Sequence, residues 1–79
     1  MENNLHGGAE ERLHPYGRTE LALKYAPGDT SGAAWRKLNR WIVGCPPLFQ
    51  ALMDLGYTGH QRLFTPEQVR LIFYYLGEP

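Results

Sequence analysis

Residues 63–79 read LFTPEQVRLIFYYLGEP and write out one helix together with both of its ends. Thr65 supplies an N-cap oxygen, Pro66 takes the first helical position, where a missing N–H costs nothing, and Gln68 stands where a capping box wants Glu or Gln. Phe64 before the cap and Val69 four residues into the helix are spaced for a hydrophobic staple, and Gly77 is placed to end the helix in a left-handed conformation. Val69, Ile72, Phe73 and Leu76 then turn inward on one face. On the other side Leu71, flanked by Tyr74 and Tyr75, has no evident core to join. It packs under the N-terminal arm or forms a homodimer or partner interface.

Working upstream, residues 57–64 (YTGHQRLF) are too short for another helix and carry Gly59 at their middle, which predicts a tight hairpin or an irregular loop. Residues 48–55 (LFQALMDL) form a helix opened by Pro47 and closed by Gly56, with Leu48, Ala51, Leu52 and Leu55 on one face. The paired prolines Pro46 and Pro47 separate it from a helix that Thr30 or Ser31 caps and that runs to about Val43. In that helix Leu38 centres an apolar stripe with Ala34, Trp35, Trp41 and Ile42 within about 60° of it, so the stripe is expected to be core. Truncation of Trp41 to Ala is then expected to cost about 3 to 5 kcal/mol. Residues 19–26 (TELALKYA) give one more short helix, with Leu21 or Ala22 and Tyr25 inward, ended by Pro27, Gly28 and Asp29. Two helices across so tight a turn have the outline of a helix-turn-helix.

Seventy-nine residues hold one domain, and 43% hydrophobic residues with ten aromatic rings suffice to fold it. The single Cys45 excludes an intramolecular disulfide framework, and no apolar run approaches the roughly 20 residues of a membrane span. Residues 1–15 lack the basic start and apolar stretch of a secretory signal and any apolar periodicity. They read as a flexible arm ahead of a domain at 16–79, and a cytoplasmic location without membrane partners is the expectation.

Charge is balanced overall but not along the chain. Across residues 16–43, Arg18, Lys24, Arg36, Lys37 and Arg40 outnumber Glu20 and Asp29 to leave +3, against −2 for residues 1–15 and −1 for 44–79. Opposite the Leu38 stripe lie Gly32, Arg36, Asn39 and Arg40, with Lys37 at the boundary. In a helix-turn-helix the second helix enters the major groove, where Arg reads guanine, Asn reads adenine and other cations neutralise phosphate. Arg62, in the loop with His60 and Gln61, is suited to a phosphate contact from a wing. Catalysis finds less support. Cys45, His6, His14 and His60 lack metal-ligand spacing, Glu10 and Glu11 are adjacent acids in the arm, and no Gly-rich phosphate loop is present, so no enzyme, metal or cofactor is expected.

Tyr16-Gly17-Arg18-Thr19-Glu20-Leu21-Ala22, Ala34-Trp35 with Leu38, Arg40-Trp41-Ile42, Leu52, Gly56-Tyr57, Arg62, Phe64-Thr65-Pro66 and Tyr75-Leu76-Gly77-Glu78-Pro79 together resemble a family of short uncharacterised proteins, a domain of unknown function from Bacteroides-type gut bacteria. The resemblance starts at Tyr16 and implies no activity. More distantly, Glu20-Leu21-Ala22, Arg40-Trp41-Ile42 and Arg62-Leu63-Phe64-Thr65 resemble the winged helix-turn-helix of MerR-type regulators and excisionases, apart from the extra helix at 48–55. That likeness implies DNA binding by the second helix and Arg62.

The expected architecture is therefore mostly α, a small four-helix domain with a helix-turn-helix and a short hairpin or wing-like loop. The expected role is a DNA-binding accessory or regulatory protein of double-stranded DNA. The other expected role is a protein-protein adaptor working through Leu71, Tyr74 and Tyr75.

Overall fold

The computed structural model describes residues 12–79, and the greater part of the arm expected at 1–15 lies outside them. Four helices and a two-stranded antiparallel sheet follow in the order β1 (Tyr16–Gly17), α1 (Arg18–Tyr25), α2 (Ser31–Val43), α3 (Pro46–Asp54), β2 (Leu63–Phe64) and α4 (Pro66–Leu76). The mostly α architecture is the expected one. None of these helices is long and apolar enough to cross a membrane.

Caps set the boundaries. Thr30 Oγ1 accepts the Ala33 N–H at 3.2 Å and opens α2, while Pro46 and Pro47 fill the first turn of α3, where orphan N–H groups need no proline donor. That is why α3 starts earlier than Leu48. Leu55 falls just past its end and is exposed rather than inward, and Gly56, at φ +90°, turns the chain away. At α4 the capping box is complete: Thr65 Oγ1 accepts the Gln68 N–H at 3.2 Å and Gln68 Oε1 accepts the Thr65 N–H at 3.0 Å. Gly77 closes α4 at φ +86°, but its ψ of 159° carries the chain off extended and not into the left-handed helical region. The Gly77 N–H still reaches the Phe73 carbonyl at 2.9 Å.

The sheet joins the two ends of the domain. Tyr16 pairs with Phe64 and Gly17 with Leu63, and the Arg18 N–H extends the ladder to the Arg62 carbonyl at 2.9 Å. The strand at Leu63–Phe64 thus pairs with the start of the domain, and residues 57–62 run as a loop. Around this closure the core gathers Tyr16, Leu21, Ala22, Ala34, Leu38, Ile42, Leu48, Leu52, Tyr57, Phe64, Val69, Ile72 and Phe73. The staple residues Phe64 and Val69 are both fully buried.

One expectation about α2 is corrected. Ala34, Leu38 and Ile42 are buried and Trp35 is half-buried, but Trp41 is 42% exposed and touches Tyr25 edge-on at 6.2 Å between ring centroids. Trp35 and Trp41 flank Leu38 at about 60° on either side, but Trp35 is covered by Phe64 and the Arg18 guanidinium whereas the Trp41 ring stays largely open beside Tyr25. Leu38→Ala should therefore lower stability by about 2 to 5 kcal/mol, and Trp41→Ala by only about 1 kcal/mol, close to the value of an aromatic pair. Denaturant melts of the two variants check this. Equal losses would put Trp41 back in the core.

Two tyrosines give further tests. The Tyr57 hydroxyl is buried without a hydrogen-bond partner among the described residues. Tyr57→Phe should then be neutral or stabilise by about 1 kcal/mol in the same melts, because removing an unpaired buried group relieves its desolvation. The Tyr25 hydroxyl donates to the Gly77 carbonyl. Burial, and then the Glu78 carboxylate, push its pKa up from 10.0 to about 12. Between those values the unfolded chain releases a proton that the folded chain retains, so this contribution is complete below pH 10 and is lost as pH rises to about 12. Thermal melts of the parent should therefore fall more steeply with pH above 10 than those of Tyr25→Phe.

Candidate nucleic-acid interface

An open groove of about 530 Å³ runs along α2, lined by Trp35, Arg36, Asn39, Arg40, Val43 and Gly44. Its residues recur at helical spacing, so one face of α2 builds it: the buried stripe of Ala34, Leu38 and Ile42 fixes how the helix rolls, and this face is what remains outside. Arg36 and Arg40 are exposed, Asn39 is half-buried between them, and Val43 adds an exposed apolar end.

Gly32 shapes the beginning of this face. A Cβ at that position would lie 3.5 Å from Arg36 Nη1, so the Arg36 guanidinium folds back beside Gly32 toward the N-terminus of α2. No positive φ demands glycine there. The consequence is a low surface at the first turn of the helix with a cation resting beside it.

The floor of the groove is tied to the sheet. Trp35 lies 6.2 Å from Phe64, Phe64 stacks on Tyr57 at 5.8 Å, and Tyr57 meets Phe49 edge-on at 6.5 Å, a row of aromatic rings reaching from α2 across β2 to α3. Over the open side of Trp35 sits the Arg18 guanidinium, 5.1 Å from the ring centroid. Its charge is also felt by Tyr57, whose pKa is raised by burial and pulled back by Arg18. Because the Arg18 N–H binds the Arg62 carbonyl, Arg62 lies directly beside it on the adjoining strand end.

The structure thus brings Gly32, Arg36, Asn39 and Arg40 together on one face, whereas Arg62 does not line the groove and is joined to Arg18 through the backbone. Lys37 is turned elsewhere: its ammonium is 2.7 Å from Asp29 Oδ2, pinning the turn between α1 and α2. Arg18, Arg36, Arg40 and Arg62 make no ion pair among the described residues. Arg18 was not among the residues singled out from the sequence. In the sequence it stands in the +3 segment and in the family motif at 16–22, and neither gives it a role, since the contacts that give it a place, to Trp35 and Arg62, lie far from it along the chain.

On α4, Leu71 is half-buried against the core. The apolar patch expected there is reduced to Tyr74, 78% exposed, and Tyr75, whose rings meet at right angles 5.0 Å apart. Among the described residues no three His, Cys, Asp or Glu side chains gather as metal ligands, and Cys45 is a half-buried free thiol beside α3.

No curated protein and no solved structure matches the chain. A family described as Domain of unknown function (DUF4248) matches residues 12–79, beginning at Arg12 and so a little ahead of the Tyr16 start suggested by the motifs. The chain belongs to this family.

Proposed function

We propose that this protein binds double-stranded DNA as an accessory or regulatory factor, with α1 and α2 acting as a helix-turn-helix and α2 entering the major groove. The observation that carries the reading is the place of Arg18. Its guanidinium lies over Trp35, whose ring lines the groove with Arg36 and Arg40, and its backbone N–H binds the Arg62 carbonyl, so a third cation stands beside the α2 groove and a fourth follows at the neighbouring strand end. Positive charge gathered on one face of a chain with no net charge is the electrostatic footprint of an anionic partner.

The details of α2 agree with this use. Recognition helices meet base edges near their N-termini, and Arg36 leans toward that end over Gly32, where the low surface admits close approach. Arg36 is suited to guanine and Asn39 to adenine, while Arg18, Arg40 and Arg62 are suited to phosphate. With no net charge to draw DNA from a distance, non-specific affinity should be poor, and site-specific contacts must supply most of the binding.

Duplexes selected from a random pool, with affinity measured at two salt concentrations, provide the test. Arg36→Ala should cost about 1 to 3 kcal/mol and relax preference at one base pair. Arg40→Ala should weaken binding evenly across sequences and lower the slope of log affinity against log salt by about 1. Gly32→Ala should separate folding from binding: the helix gains up to about 1 kcal/mol while DNA affinity falls. If selection enriches nothing and the arginine variants change no measured affinity, the adaptor role through Leu71, Tyr74 and Tyr75 replaces this one.

A further inference from the structure

We infer that Gln61 is a positioning residue for Arg62, an assignment that rests on the DNA-binding reading above. The side-chain amide of Gln61 is used at both ends. Its Nε2 donates to the Leu63 carbonyl at 2.7 Å and to Gln68 Oε1 at 2.7 Å, and its Oε1 accepts the Thr58 N–H at 3.3 Å. One half-buried side chain therefore ties the beginning of the loop, β2 and the first turn of α4 together.

The bond to Leu63 spans Arg62. With the Gln61 side chain bracing the backbone on both sides of it, and the Arg62 carbonyl engaged by the Arg18 N–H at 2.9 Å, the backbone at 62 is pinned and its exposed side chain is left outward. The anchor is itself rigid. Gln68 is almost fully buried, and its Oε1 also receives the Thr65 N–H of the capping box, so the loop is locked to the start of α4. A second turn inside the loop, the His60 N–H on Thr58 Oγ1 at 3.1 Å, stiffens the far end. A cation held in place before binding forfeits less conformational freedom when it meets phosphate.

Gln61→Met tests the assignment, because it preserves length and removes both donors and the acceptor without altering charge. The readouts are the salt slope of DNA affinity, the same slope in an Arg62→Ala background, and hydrogen exchange at the Thr58 amide. The expected result is a slope lowered by about 1 although no charge is lost, no further loss of slope or affinity in the Arg62→Ala background, and faster Thr58 exchange with α2 amides unchanged. A merely structural role would weaken binding equally in both backgrounds and leave the slope alone. If the parent binds duplex DNA and Gln61→Met keeps the parent's slope, or Thr58 exchange does not rise, the positioning role is overturned and the DNA reading stands. If the parent binds no duplex at all, the DNA reading fails and this role falls with it.

Discussion

Everything in this domain depends on the pairing of Tyr16–Gly17 with Leu63–Phe64. Two residues a side make too short a sheet to persist by hydrogen bonding alone, and closing so long a stretch of chain costs entropy. Side-chain burial holds it. Tyr16 and Phe64 are both in the core, and Phe64 touches Trp35 of α2 and Tyr57 of the loop. Because the pairing is antiparallel, α1 leaves the sheet at its Gly17–Leu63 end and α4 leaves it from the Tyr16–Phe64 end. Farther on, the Tyr25 hydroxyl bonds Gly77 and Arg12 pairs with Glu78, so the ends of the described chain are joined a second time.

From that closure follows the asymmetry of α2. The sheet and Arg18 cover the Trp35 ring at one edge of its apolar stripe, while the Trp41 ring at the other edge meets Tyr25 edge-on and stays exposed. The covered edge becomes the floor of a groove, and the polar face next to it presents Arg36, Asn39 and Arg40. A stability requirement and a candidate binding surface thus meet at one residue, Trp35. Its ring packs on Phe64 and serves as the platform for the Arg18 guanidinium.

If the chain binds DNA as proposed, its zero net charge means that the binding energy has to come from a few well-held groups and not from a diffuse field. The bonds of Gln61 and Gln68 tie the loop around Arg62 to β2 and the start of α4. Lys37 has a different use, because Asp29 takes its charge at the turn between α1 and α2.

The four helices and most of their ends were legible in the sequence, since they depend on neighbours a few residues apart: Thr30 and Thr65 as caps, Pro66 in a first turn, Gly56 and Gly77 as stops. The exception is α3, which takes the paired prolines Pro46 and Pro47, read as a break, into its own first turn. The face carrying Gly32, Arg36, Asn39 and Arg40 was legible for the same reason, being a matter of helical period. What period cannot tell is which edge of a stripe the rest of the chain will cover. Trp35 and Trp41 are equivalent by that measure, and only packing against Phe64 and Arg18 made one a half-buried platform and left the other exposed. The pairing of β1 with β2, the place of Arg18 and the half-burial of Leu71 belong to the tertiary structure as well. Each arises from residues distant in sequence whose meeting is decided by how the whole core closes, and no local pattern of residue types encodes that.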